Sequence, residues 1–115
     1  MDEKILVWFS DIEIAIDEMY DFLPEPRIFA DFQKDLKTRR AIERNIEIFG
    51  EAMIRVLMAR PDTSINESRK IVDTRNRIIH GYDSVSPDIL WLIVVKYLPI
   101  LKVEIEKIKN SLNQN

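Results

Sequence analysis

His80 is the only histidine in this 115-residue chain, and it follows Arg75-Asn76-Arg77-Ile78-Ile79. Histidine titrates near neutral pH and can carry the proton of a ribose 2′-hydroxyl. Arginine presents a fixed, charged fork to phosphoryl oxygens as charge builds on them. An Arg and a His together suit phosphodiester cleavage without a metal. Five residues separate them, about 140° around a helix and ~7.5 Å along it. They therefore do not stack as an i, i+4 pair would. If the helix loosens at Gly81, His80 can swing until both side chains reach one phosphate. The competing reading is that an Arg, an Asn and a His close a helix by capping and ion pairing. With no cysteine and one histidine, disulfides and thiolate metal sites are excluded. Transition-metal ligation would fall mainly on carboxylates, of which the motif offers Asp73 and Asp83. No cofactor and no metal site are expected.

The elements that position these residues follow from periodicity. Ile5, Leu6, Phe9, Ile12, Ile16, Met19 and Tyr20 recur at three- and four-residue steps, the mark of one buried helix face. Pro24-Glu25-Pro26 ends that helix. A second pattern runs from about Asp31 to Ala59, with a break near Asp35–Thr38. Its stripe is Leu36, Ile42, Ile46, Phe49, Met53, Val56 and Leu57. Ile48 and Ile54 fall off the stripe, and Gly50 sits mid-helix, where glycine costs roughly 0.5–1 kcal/mol relative to alanine. Such a glycine often admits another backbone, and plain drift in a long helix is the alternative. A third helix spans about Asn66 to Ile79, with Gly81 as its stop. Ser86-Pro87-Asp88 then supplies a hydroxyl N-cap, a first-turn proline and an acid against the helix dipole. Leu90, Ile93, Val94, Tyr97, Leu101, Ile105, Ile108 and Leu112 stay in phase through Pro99, which predicts one continuous helix kinked at that proline. The expected fold is all-α: a four-helix up-and-down bundle with room for one short extra helix.

Composition sets the outer bounds. The length fits one domain, residues 1–115. Apolar residues make up 46% and charged residues 32%, the balance of a globular protein. No signal peptide is evident, and Ile89 to Val95 is too short to span a bilayer. A cytoplasmic protein without membrane contact is expected. The net charge is −3, but residues 1–33 carry nine acids against Lys4 and Arg27, while residues 34–77 carry eleven Lys/Arg against seven acids. Such asymmetry marks either a polyanion-binding middle or solvated faces that drifted in charge.

Ile71-Val72-Asp73-Thr74-Arg75-Asn76-Arg77-Ile78-Ile79-His80-Gly81-Tyr82 resembles the R-x4-H-x-Y signature of HEPN domains, in their HepT-like branch. Arg40-Ala41-Ile42-Glu43-Arg44-Asn45-Ile46-Glu47-Ile48-Phe49-Gly50-Glu51-Ala52 resembles that branch's helix R-A-x-x-R-x-x-E-I-x-G-E-A. Trp91 and Leu98-Pro99 also fit, so the resemblance covers nearly the whole chain. It implies a metal-independent endoribonuclease toxin of a type VII-like toxin–antitoxin pair, acting as a homodimer whose motif helices line one cleft. Arg75 and His80 would be catalytic, and Asn76 would orient the phosphate or the histidine. Tyr82 would accept AMP from a cognate minimal nucleotidyltransferase antitoxin. A chain with one histidine can supply both an acid and a base through twofold symmetry. Ile48, Gly50 and the motif face are candidates for the subunit interface. Arg39, Arg40, Arg44 and Arg77, with Arg69 and Lys70, are candidate contacts to RNA phosphates, and ion pairing with Glu43, Glu47 and Asp73 is the rival use for them. The alternative function is a non-catalytic helical partner subunit of a two-component nucleotidyltransferase.

Overall fold

The computed structural model describes residues 3–62, 68–80 and 85–113, which form helices joined by short turns and contain no strand. Helix α1 spans Glu3–Phe22, α2 Phe29–Lys34, α3 Leu36–Ala59 and α4 Ser68–His80. The last arm comprises α5, Pro87–Leu92, a π-helical turn, Ile93–Tyr97, and α6, Leu98–Asn113. Helix α3 lies at the centre, packed against α1 on one side and α4 on the other, while α6 packs on α1.

The periodic stripes become the core. Ile5, Phe9, Ile12, Ile16 and Met19 of α1 meet Ile42, Ile46, Phe49, Met53 and Val56 of α3, all buried. Asn45, also buried, ties these helices: its Nδ2 donates to the Ala15 carbonyl at 3.3 Å and to Glu18 Oε1 at 3.1 Å. A buried amide must find such partners, because leaving it unmatched costs about 1–3 kcal/mol. The second half of α1 thus meets the first half of α3, as in an antiparallel hairpin. Lys109 pairs with Glu13 at 2.9 Å and Lys102 with Asp17 at 3.6 Å. Their order shows that α6 runs opposite to α1. The result is the expected up-and-down bundle, with α2 as the short extra helix.

The expected break near Asp35 and two local differences from the expected pattern have physical causes. The second helical pattern breaks at Asp35, whose φ of −93° and ψ of 87° are not helical. Its carboxylate caps α3, accepting from the Thr38 N–H at 3.1 Å and from the Thr38 hydroxyl at 2.6 Å. Helix α2 then folds back under the last arm, where Trp91 meets Phe29 edge-on at 5.4 Å and Phe32 at 5.6 Å. Leu36, assigned to the buried stripe, is 52% exposed because it opens α3 beyond the core.

The second difference lies ahead of Pro99. The chain stays in right-handed helical geometry from Pro87 onward, but the Leu98 N–H reaches back five residues to the Ile93 carbonyl. Proline removes one i→i−4 bond and crowds the carbonyl four residues earlier. A π turn at Ile93–Tyr97 is a common way for a helix to absorb such a residue. At this turn Leu98 takes the buried place expected of Tyr97, which is only half-buried, while Leu101 and Ile105 keep theirs. Ser86 begins this arm as the sequence suggests, its side chain accepting from the Ile89 N–H at 3.4 Å. Among the described residues no helix is long and apolar enough to cross a membrane.

Candidate active site on helix α4

Helix α4 presents three faces. Ile71 and Thr74 are buried toward the bundle, and the Thr74 hydroxyl donates to the Lys70 carbonyl at 2.7 Å, so it stays satisfied in the helix interior. Arg69, Lys70, Asp73, Arg77 and His80 are exposed. Arg75 stands between these faces, half-buried, where α4 crosses α3.

That crossing explains Gly50. A Cβ at this position would lie 2.6 Å from Arg75 Cβ and 2.8 Å from Arg75 Cγ. Only glycine leaves a notch deep enough for the arginine stem. The close approach suggested by a mid-helix glycine therefore occurs within the chain. Gly50 is buried under Arg75 and is not available as a subunit contact, which corrects its place among the interface candidates.

The notch holds Arg75 by its stem and leaves its head to polar partners. Arg75 Nη1 donates to Asn76 Oδ1 at 2.8 Å, which fixes the plane of the guanidinium. Arg75 Nε is buried and has no hydrogen-bond partner among the described residues. A buried, unmatched donor on a charged fork is costly. An anion accepting from that edge would remove the penalty. Arg75 and Asn76 are thus brought together, as expected of neighbours in one site.

His80 is the last residue of α4, exposed, and about 140° around the helix axis from Arg75. The helix continues to His80 itself, so the ring projects from the opposite flank of α4. Gly81, expected to stop the helix, and Tyr82 and Asp83 lie outside the described residues.

The other candidate cations divide. Arg39 is half-buried, and its Nη1 donates to the Gln33 carbonyl at 3.0 Å near the end of α2. It is a C-terminal cap for that helix. Arg40 pairs with Glu43 at 3.0 Å and Arg44 with Glu47 at 2.8 Å. Both guanidiniums remain largely exposed, and exposed pairs of this kind are weak enough to be exchanged for a phosphate. Arg77 is exposed and, among the described residues, forms no ion pair with Asp73, although their i, i+4 spacing invites one. Periodicity alone could not identify the partnership between Gly50 and Arg75, which depends on how α3 crosses α4.

Comparison with known proteins identifies the family. The family model described as "Ribonuclease HepT-like" matches residues 12–108. A Methanocaldococcus jannaschii chain named as a candidate RNase is 31% identical over 111 residues, covering 92% of this chain and 88% of its own. The "Probable ribonuclease HepT" of Thermococcus cleftensis is 32% identical over 106 residues, 89% of this chain and 93% of its own. A Caldanaerobacter subterraneus chain, also named as a candidate RNase, is 33% identical over 81 residues, 70% of this chain and 72% of its own. No solved structure matches. The matched span contains the α3 notch, the α4 motif and the Trp91 anchor, and the chain belongs to the HepT-like ribonuclease family.

Proposed function

We propose that this chain is an endoribonuclease in which Arg75 and His80 cut RNA without a metal. One observation carries the proposal: Arg75 is seated in the Gly50 notch and fixed by Asn76, with a buried Nε–H that lacks an acceptor. A preorganised donor of this kind is what a developing phosphorane charge needs. In the reaction, a neutral His80 takes the proton of the ribose 2′-hydroxyl. The 2′-oxygen bonds to the adjacent phosphorus while Arg75 holds the phosphoryl oxygens. The bond from phosphorus to the 5′-oxygen then breaks, and the leaving oxygen takes a proton from a protonated His80 of a second copy. The products are a 2′,3′-cyclic phosphate and a 5′-hydroxyl.

The homodimer is part of this reading. It is supported by the single histidine, by His80 and Arg75 lying on different flanks of α4, and by two large apolar side chains left exposed nearby. Ile79 on the motif helix is 47% exposed and Ile48 on α3 is 36% exposed. In the cell the chain acts as the toxin of a toxin–antitoxin pair in the cytoplasm. Its partner nucleotidyltransferase silences it by adding AMP to Tyr82, two residues from His80. The added phosphate would repel RNA and fill the cleft.

The test is expression of wild type, Arg75→Ala and His80→Ala, followed by assay of the purified chains on single-stranded RNA with and without chelator. Wild type should cut in EDTA and leave cyclic phosphate ends. Each variant should lose about 100-fold or more in rate while keeping the wild-type helical circular dichroism. A variant that cuts at the wild-type rate, or products with a 5′-phosphate, would refute the mechanism. For the switch, Tyr82→Phe should gain no AMP mass on co-expression with the nucleotidyltransferase. An equal adduct on both proteins removes Tyr82 from the scheme.

A further inference from the structure

A groove of about 260 Å³ lies between α4 and the last arm, separate from the Gly50 notch. Lys70, Asp73 and Thr74 form one wall, and Ile89, Leu92 and Tyr97 are on the other. The π turn creates its far wall, because it places Leu98 in the core and leaves Tyr97 at the rim. Lys70 Nζ donates to the Tyr97 hydroxyl at 2.7 Å and stands 4.2 Å from the ring centroid, so it lies toward the phenol end of the ring. Leu92 is 45% exposed at a groove whose charged lining residues are Lys70 and Asp73.

The groove also has a direction. Lys70, Asp73, Arg77 and His80 follow one another at three- and four-residue steps, so they form a single stripe along α4. From Lys70 to His80 the stripe is about 15 Å long. Cations along a strand, with an aromatic ring beside them, are how proteins hold single-stranded nucleic acid. The groove is smaller than the roughly 300–1,000 Å³ of sites for drug-sized ligands, which suits one flat ring. Its single acid, Asp73, can only accept hydrogen bonds when ionised. Cytosine, adenine and guanine offer an exocyclic amino group to such an acceptor, whereas uracil has only its ring N3–H, flanked by two carbonyl oxygens that a carboxylate repels.

We propose that this groove is a base subsite for the RNA strand being cut. One base lies against Tyr97, Ile89 and Leu92, its amino group donates to Asp73, and the adjoining backbone runs past Arg77 toward His80. Tyr97 is then a stacking residue and Asp73 a specificity residue that disfavours uracil. The inference rests on the proposed RNA-cleaving function, and its test is a binding measurement so that the two can fail separately.

The probes are fluorescein-labelled oligo-C and oligo-U of equal length, read by anisotropy at one fixed salt concentration. The parent is the full chain with His80→Ala, which leaves the RNA uncut. Oligo-C should bind more tightly than oligo-U. Tyr97→Leu should weaken oligo-C binding about tenfold or more, the loss of one base–aromatic stack, while Tyr97→Phe stays near the parent. Leu92→Glu alters an exposed side chain and should fold normally, so it checks the groove independently of Tyr97. It should weaken binding as well. Asp73→Asn should bring the oligo-C to oligo-U ratio toward one. Parent-like binding by both Tyr97→Leu and Leu92→Glu overturns the subsite, even where wild type cuts RNA. Tyr97-dependent binding by a chain whose wild type cuts no RNA keeps the subsite and ends the cleavage reading. A parent that binds neither probe overturns both.

Discussion

At the scale of single residues, the α3–α4 crossing sets two demands against each other at Gly50. Alanine there would gain about 1 kcal/mol of helix propensity. Its methyl would meet Arg75 Cβ at 2.6 Å, and Cβ is fixed to the backbone, so it cannot turn away as the tip of a side chain can. The collision outweighs the propensity. Gly50→Ala should therefore push α4 off α3, lower the urea midpoint, and slow RNA cleavage by at least about tenfold through the misplaced guanidinium. A variant that is more stable and fully active would show that the notch has no role. Arg75, Asn76 and His80 stand out in the sequence as candidates because their chemistry is local and their spacing is short. The notch could not, since the glycine and the arginine it serves lie 25 positions apart and meet only when two helices cross. The surface arginines were ambiguous for a related reason: whether Arg40 and Arg44 face phosphate or Glu43 and Glu47 depends on which partner is present.

Elements were legible wherever apolar spacing was regular. Apart from Leu36 and Tyr97, the stripes of α1, α3 and the last arm follow from the sequence, as do the Ser86 cap and the antiparallel order. The break at Asp35 was visible as a region but not as a residue, since α2 and α3 share one apolar phase and only the cap geometry separates them. Asp35 has its own acid signature. Hydrogen bonds from the Thr38 hydroxyl, then from the Thr38 N–H, hold its carboxyl below the ordinary value of 3.8. A carboxyl depressed in the folded state adds stability above its unfolded pKa and loses it as pH falls through the folded one. The melting temperature of wild type should accordingly exceed that of Asp35→Ala at neutral pH. The gap should close only below about pH 3.8, as the folded-state carboxyl protonates. A gap that is constant from neutral pH down to pH 2 would mean that the charge contributes nothing to the cap.

For the whole molecule, the charge map and the exposed apolar residues bear on assembly. The acidic excess of the first 33 residues falls mostly on α1, and the basic excess of residues 34–77 falls on α3 and α4, so the motif helix sits in the cationic part of the molecule. A dimer joined through the motif face would bury Ile79 beside His80 and place two histidines at one cleft. Ile79→Glu puts a carboxylate into that contact while leaving the core untouched. Sedimentation at micromolar concentration should show a dimer for wild type and a monomer for the variant, with cleavage lost and helicity kept. A variant that remains dimeric would move the interface away from α4. A monomeric wild type would end the shared-histidine mechanism.

The wide turn before Pro99 makes the last arm one residue longer than its burial pattern needs. The faces on either side, Leu90 with Val94 and Leu98 with Leu101, would still align if Val95 or Lys96 were deleted, because the turn would tighten to ordinary α pitch. What forbids the shorter chain is the proline, which in a plain helix costs about 3 kcal/mol. The deletion alone should unfold at markedly lower urea, and the deletion combined with Pro99→Ala should recover most of the loss. Both variants would withdraw Tyr97 from Lys70. A shortened, proline-free arm that is stable yet has lost its grip on oligo-C would show that the surplus residue is kept for the groove and not for the bundle.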